Sequence, residues 1–370
     1  MRWVSLGDYI EQCDERNSKG KYGEEDVKGI ATSKQLIETK ANLEGVSLSS
    51  YKIVNPNEFT FVPDTSRRGD KMSLAFNNFG KVCIVSSISC VFRIKAPLEL
   101  LPDYLYLWFC RPEFDRYARF NSWGSAREAF SYEDMERVQI PLLGIDEQRK
   151  IVSVWKGLRD LKVQNEVVAE PLFELCQSYI QELKHSSKII ELGDYIEQCD
   201  ERNKNNSFSI CDLKGVKKDG TFIDTIANTS ELDLHNYKIV PKEAFAYSNR
   251  INIGSIALCH EDCIVSPSYT VFKLKNGATK YLNTSFLEIW FRREEFLRST
   301  LFFAYGTIKD DFSYREMSHV KIPLPSMEKQ CAIVNIYNCA KEARDIANKT
   351  EQLIKDICPA LIRQAIGEAS

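Results

Sequence analysis

The chain has 370 residues, a length suited to two or three domains rather than one. Hydrophobic residues make up 44% and charged residues 27%, which excludes a chain that is disordered as a whole. A net charge of -3 excludes binding of polyanions through bulk positive charge, but leaves local basic patches open.

The start, Met-Arg-Trp-Val-Ser-Leu-Gly-Asp, lacks the apolar stretch of a secretory signal, so a cytoplasmic protein is expected. Leu6-Gly-Asp-Tyr-Ile-Glu-Gln-Cys-Asp-Glu-Arg-Asn17 follows. Tyr51-Lys-Ile-Val, Phe59-Thr-Phe-Val and Val82-Cys-Ile-Val are short β-branched or aromatic runs bounded by Asn, Pro and Gly, and predict strands. The uncharged run from Val82 to Phe92 is too short to span a bilayer and reads as buried strand. Apolar residues at 105, 108, 109 and 114 suit one helix over Tyr104 to Tyr117. Pro141 is expected to break the chain. From Asp146 to about Lys184 the texture changes. Glycine is scarce, and apolar residues recur at three- and four-residue spacing through Ile151, Trp155, Leu158, Leu172, Tyr179 and Leu183. That marks a long amphipathic helix, roughly 55 Å at 1.5 Å per residue, with Pro171 expected to kink or interrupt it.

The chain then repeats itself. Leu192 to Asn203 is identical to Leu6 to Asn17, at an offset of 186 residues. Tyr237-Lys-Ile-Val matches Tyr51-Lys-Ile-Val at the same offset. Cys263-Ile-Val-Ser matches Cys83-Ile-Val-Ser at an offset of 180, and Phe312-Ser-Tyr matches Phe130-Ser-Tyr at 182. Ile322-Pro-Leu matches Ile140-Pro-Leu, and a second helical pattern runs from Ile333 to Ile366 across Pro359. Two copies of one unit are therefore joined in tandem. They diverge at 18–50 against 204–236 and at 60–82 against 246–262. A shared scaffold with unlike loops suits two units that bind different things through similar geometry.

A long helix with one apolar stripe needs a partner, and the other copy's helix is the natural one. The expected fold class is α+β: two tandem α/β target-recognition domains separated by two long antiparallel helices, a coiled-coil spacer with a pseudo-two-fold internal repeat. The segments are 1–145, 146–187, 188–327 and 328–370. Each lies within one charge of neutral.

The twelve cysteines are scattered and read as mostly reduced, buried thiols. Cys259-His260-Glu-Asp-Cys263 has a zinc-like spacing, but no second Cys/His pair stands nearby, and packing is the preferred reading. No metal is expected.

Trp123-Gly-Ser-Ala-Arg-Glu-Ala-Phe-Ser-Tyr, then Ile-Pro-Leu142, then Asp146-Glu-Gln precede the first long helix. Tyr305-Gly-Thr-Ile-Lys-Asp-Asp-Phe-Ser-Tyr, Ile-Pro-Leu-Pro325 and Glu328-Lys-Gln330 precede the second. This doubled pattern resembles the specificity (S) subunit of type I restriction-modification systems, over essentially the whole chain. Leu143, where the pattern usually continues with Pro, and Lys329, where Glu is commoner, are minor departures. The resemblance implies that each globular unit reads one half of a bipartite site in double-stranded DNA. It implies that the helices act as a ruler and dock two modification (methyltransferase) subunits, with restriction (translocase/nuclease) subunits completing the complex. It also implies no catalysis by this chain and no cofactor of its own. S-adenosylmethionine, ATP and Mg are expected on the partners only, and no membrane is involved.

Phosphate contacts call for Lys and Arg, and base reading favours Arg, Asn and Gln. The candidates in the first copy are Arg67, Arg68 and Lys71, with Asn77 and Asn78. In the second copy they are Lys214, Lys217, Lys218, Asn249 and Arg250. Beside the glycine motif, Ser125 and Arg127 match Thr307 and Lys309, where a glycine would let the backbone approach a phosphate. Arg111, Arg116 and Arg119, and Arg292, Arg293 and Arg298, alternate with carboxylates and read as salt-bridged helix faces. An enzyme is disfavoured, because no nucleotide loop, methyltransferase motif or HExxH is present and what repeats is apolar and turn-forming. Two alternatives remain: the specificity subunit of a type IIB-like system, and an adaptor that binds proteins rather than DNA.

Overall fold

The computed structural model describes all residues except 1, 65–70, 125–127, 226–231, 250–253, 305–311, 366 and 368–370, and leaves out the side chains of 301–304 and 358. The first copy runs β1 (Arg2–Ser5), β2 (Ile10–Cys13), β3 (Lys28–Ile30), β4 (Leu36–Glu38), β5 (Lys52–Val54), β6 (Phe59–Phe61), β7 (Leu74–Phe76), β8 (Cys83–Val85), β9 (Cys90–Ile94), α1 (Pro102–Phe109), α2 (Pro112–Phe120), α3 (Tyr132–Glu136) and β10 (Gln139–Leu142). The long helix α4 (Ile145–Ser186) follows. The second copy runs β11 (Lys188–Glu191), β12 (Ile196–Cys199), β13 (Lys214–Val216), β14 (Phe222–Asp224), β15 (Lys238–Val240), β16 (Phe245–Ser248), β17 (Ile256–Leu258), β18 (Cys263–Val265), β19 (Tyr269–Leu274), α5 (Thr284–Phe291), α6 (Glu294–Ala304), α7 (Tyr314–Ser318) and β20 (Lys321–Leu324). The second long helix, α8 (Met327–Ala365), ends the series.

Two compact units result. The first comprises residues 1–163 with 347–370, and the second 164–346. Both long helices are therefore divided between the units.

In the first unit a four-stranded antiparallel sheet has the order β2-β9-β6-β7. Its inner face carries Phe59, Phe61, Phe76 and Phe92, which stack or meet edge to face with one another and with Phe109. Aromatic pairs of this kind fix ring positions as well as burying area. α1 and α2 cover that face. The second unit repeats the sheet as β12-β19-β16-β17, with Phe245, Tyr247, Phe272 and Phe291 in the same roles. A smaller pair, β5-β8 and its counterpart β15-β18, packs on the opposite side through a second apolar cluster around Val54 and Val240.

Four local expectations are corrected. Tyr104 to Tyr117 is two helices, because Pro112 opens α2 and disfavours helical backbone at Arg111. The run Val82 to Phe92 is two strands, β8 and β9, joined by a turn. Pro141 and Pro323 do not break the chain. They sit inside β10 and β20, paired with Trp3 of β1 and Ile189 of β11 in two-stranded sheets, where a strand edge needs no donor. Pro171 and Pro359 likewise leave α4 and α8 continuous.

Within each unit the long helices run antiparallel. In the first, Lys162 reaches Glu351 at 3.4 Å, and Ile354 and Ile362 join Ile151, Val152 and Trp155 in the core. In the second, Arg344 meets Glu170 at 2.7 Å, Phe173 meets Tyr337 edge to face, and the Cys176 thiol faces the Ile333 carbonyl. Small buried residues at the seam, Ala169, Ala340 and Ala343, favour close approach of the helices.

Candidate nucleic-acid interface

The sequence shared by the two copies builds an identical frame. Leu6 and Ile10, and Leu192 and Ile196, are core. Gly7 lies against α3, where a Cβ would stand 2.9 Å from Glu136 Cβ; Gly193 lies as close to Ser318 at the end of α7. The glycine therefore docks the first turn onto the short helix. Asn17 is buried and closes a loop, donating to the Tyr22 carbonyl at 2.9 Å and accepting from the Tyr22 amide at 3.1 Å. Asn203 makes the same two bonds with Phe208.

The glutamine before each long helix is a second clamp. Gln148 is fully buried; it donates to the carbonyls of Glu99 and Leu143 and accepts from the Leu101 amide. Gln330 does the same with Tyr281, Pro325 and Asn283. Each ties the helix start to the loop that begins the helical layer, and each bond satisfies a backbone group that would otherwise be orphaned.

One face of the frame carries a small polar cluster. Lys52 is buried to the ammonium and meets Asp14 at 2.9 Å, and Arg16 grips the same carboxylate. The Lys52 hydrogen bond, ahead of the Arg16 bond, holds the Asp14 carboxyl below its usual range. Lys238, Asp200 and Arg202 repeat the arrangement; burial there pushes the Asp200 carboxyl up, and the bonds from Lys238 and Arg202 outweigh it.

In the second unit Lys238 of this cluster lines an open polar cleft of about 490 Å³. Gln198, Asn249, Ser268 and Thr270 line it too, with Ser313, Tyr314 and Arg315 at the start of α7. The Thr270 hydroxyl donates to Asn249 Oδ1 at 2.6 Å and so orients the amide.

Residues 186–355 match the family model for the type I restriction modification DNA specificity domain. This segment belongs to that family.

The specificity domain so identified is the second copy with most of its helix, and the first copy repeats its strand order and pairing. No curated protein matches the chain. Among solved structures, the S subunit of a type I restriction-modification system from M. genitalium is 15% identical, with a TM-score of 0.58, over 99% of this chain and 96% of that one. The fold is therefore shared over the full length. The HsdS subunit from Thermoanaerobacter tengcongensis is 18% identical over 100% of this chain and 97% of its own, with a TM-score of 0.42.

The expected contact residues do not all reach the surface of these domains. Asn77 is buried, and its amide is spent on the carbonyls of Val54 and Lys81 and on the Phe79 amide. It cannot read a base. Asn78, beside it, is half-buried. Lys214 is held by Asp224 across the β13-β14 hairpin, a bond that raises its pKa. Lys71, Lys217 and Lys218 are exposed, the last two at the tip of that hairpin. Asn249 lines the cleft. Arg67, Arg68, Ser125, Arg127, Arg250, Thr307 and Lys309 lie outside the described residues.

The arginine clusters are structural. Arg111 stacks over Trp108 at 4.2 Å and Arg293 over Trp290 at 4.6 Å, and each meets the glutamate two residues on. The Cys259 and Cys263 thiols lie 3.7 Å apart, both buried, while His260 is exposed. Cys259 stands where the first copy has Asn77 and donates to the Val240 carbonyl, as Asn77 does to Val54. No cluster able to hold a metal occurs among the described residues.

Arg315, Lys238 and Gln198 were missed in the sequence. The signal for Arg315 was present: Phe130-Ser-Tyr132 is followed by Glu133, and Phe312-Ser-Tyr314 by Arg315.

Proposed function

We propose that this chain is the DNA-reading component of a restriction-modification complex. Each unit reads one half of a two-part double-stranded site, and the long helices hold the methyltransferase subunits, with restriction subunits joining them. S-adenosylmethionine, ATP and magnesium act on those partners, in the cytoplasm. Among the described residues no helix is long and apolar enough to cross a membrane.

The observation that carries this reading is the division within each repeat: one frame with shared anchor segments, such as Leu6–Asn17 and Leu192–Asn203, carrying unlike residues at matching places, such as Glu133 and Arg315. A pair of enzymes would keep its reactive residues, whereas a pair of readers for different half-sites keeps its frame and varies the rest. The docking reading is supported by α4. Besides its buried stripe it exposes Val154 and Leu161 in the first unit and Val168 and Leu175 in the second, each seven residues from the last. That period lays a second apolar row along the helix, suited to a partner helix.

The test is co-expression with the methyltransferase partner, followed by sequencing of methylated sites. A two-part motif with a fixed gap is expected. Four residues inserted into α4, and four into α8 opposite, add about 6 Å, or nearly two base pairs, and should lengthen the gap. A continuous motif, or a gap indifferent to the insertion, contradicts the reading. Binding of random duplex should also fall steeply with salt; a protein adaptor would show no such slope.

A further inference from the structure

The two units allow one to be read against the other, position by position. Strand register aligns Phe61 with Tyr247, and the amides of Phe130 and Phe312 donate to the carbonyls of Pro63 and Asn249. Pro63 therefore occupies the place of Asn249. Cys90 and Thr270 both pair with that aligned central strand, and Glu133 and Arg315 both follow the shared Ser-Tyr that opens α3 or α7.

Around the cleft the positions fall into two sets. Gln12 and Gln198, Lys52 and Lys238, and Ser131 and Ser313 are the same in both copies. The other set differs: the turn residues Ser87, Ile88 and Ser89 against Pro267, Ser268 and Tyr269, Pro63 against Asn249, Cys90 against Thr270, and Glu133 against Arg315. The last pair reverses charge. Both side chains are exposed, and neither makes an ion pair among the described residues.

A contact to phosphate carries no sequence information and has no reason to differ between two readers. A contact to a base edge must differ when the half-sites differ. We propose that positions 63/249, 90/270 and 133/315 are specificity-determining positions of the two units, and that the invariant glutamine beside them serves the backbone. This rests on the DNA-reading function proposed above. Arg315 offers two parallel donors and fits guanine O6 and N7, while Glu133 only accepts and fits the cytosine N4 amino group. Asn249, with its amide oriented by Thr270, has donor and acceptor for an adenine edge; Pro63 has neither.

The test uses the chain co-expressed with its methyltransferase partner and reads the methylated motif for wild type, Arg315→Ala, Glu133→Ala and Asn249→Ala. Arg315→Ala should relax the preference at one base of one half-site, by roughly ten- to hundred-fold, and leave the other half untouched. Glu133→Ala should relax one base of the other half. Asn249→Ala should relax a base in the same half as Arg315→Ala. An unchanged motif overturns the proposal, as does a uniform loss of methylation at every sequence, which would mark these side chains as phosphate contacts. Arg315→Lys separates loss of folding from loss of reading: it keeps the charge and loses the fork, so it should assemble normally and still relax the guanine. If wild type itself shows no two-part motif, the function is wrong rather than these positions.

Discussion

Replacing Asp115 with leucine should destabilise the first unit far more than its size suggests. The Asp115 carboxylate pairs with the Lys34 ammonium inside the unit, with only 12% and 5% of the two side chains exposed. The same carboxylate accepts from the Met72 amide at 3.0 Å, and Lys34 Nζ donates to the Met72 carbonyl at 2.8 Å. The substitution strands a buried cation and orphans an amide. Breaking a buried pair from one side costs roughly 3–5 kcal/mol. At a urea dependence of about 2 kcal/mol per M, the midpoint falls by roughly 1.5–2.5 M. The second unit solves the same position without charge, placing Gly220 and Leu297 where the first has Lys34 and Asp115. Both Lys34 and Gly220 have left-handed backbone, with φ of 65° and 74°, which glycine adopts freely and lysine does not. The double change Lys34→Gly, Asp115→Leu should therefore recover at least about 2 kcal/mol of the loss. Tryptophan fluorescence isolates the relevant transition, because Trp3, Trp108, Trp123 and Trp155 belong to the first unit and only Trp290 to the second. A single variant within about 1 kcal/mol of wild type, or a double variant no better than the single, refutes this account.

Three further outcomes are expected. Gln148→Leu removes three hydrogen bonds from buried backbone groups and should cost about 3 kcal/mol in the first unit, and Gln330→Leu the same in the second, read as two separate losses in calorimetry. The folded pKa of Asp14 is lowered by Lys52, so its contribution is complete above the unfolded value near 3.9 and is lost as pH falls through the lower folded one. The stability gap between wild type and Lys52→Met should then be constant above about pH 5 and shrink in stronger acid; a gap independent of pH would exclude the pair as its source. Val168→Glu with Leu175→Glu, both on the exposed row of α4, should leave the melting temperature within a few degrees and abolish copurification of the methyltransferase partner. Undiminished copurification would place the docking surface elsewhere.

The repeat and the antiparallel helices were legible because each leaves a periodic mark: identical segments at one offset, and apolar residues at three- and four-residue spacing. Elements set by single residues were less so. A proline in a strand edge and a proline between helices look alike in sequence, and only the pairing of Pro141 with Trp3 tells them apart. Asn77 was read as a surface reader because it is polar and lies in a divergent stretch. Polarity does not reveal burial when a turn needs its carbonyls bonded, and Cys259 doing the same work in the other copy shows the demand is local. Arg315 is hard to find because it lies in a shared segment and not in the variable loops. The informative difference lay one residue beyond a conserved anchor.

The division of α8 has a consequence for how such a protein is made and shuffled. Ile354 and Ile362 complete the core that also holds Leu6 and Ile10. The first unit begins to emerge from the ribosome early but lacks part of its interior until residues near 362 are synthesised, with the whole second unit intervening. It must wait as a partly open form while its neighbour is built. A gene fusion that exchanges everything after α4 for a foreign counterpart would also replace part of the first unit's own interior. Exchanges that keep 347–365 with 1–163 would preserve it, so viable crossovers should fall inside the two long helices rather than at the visible ends of the repeats.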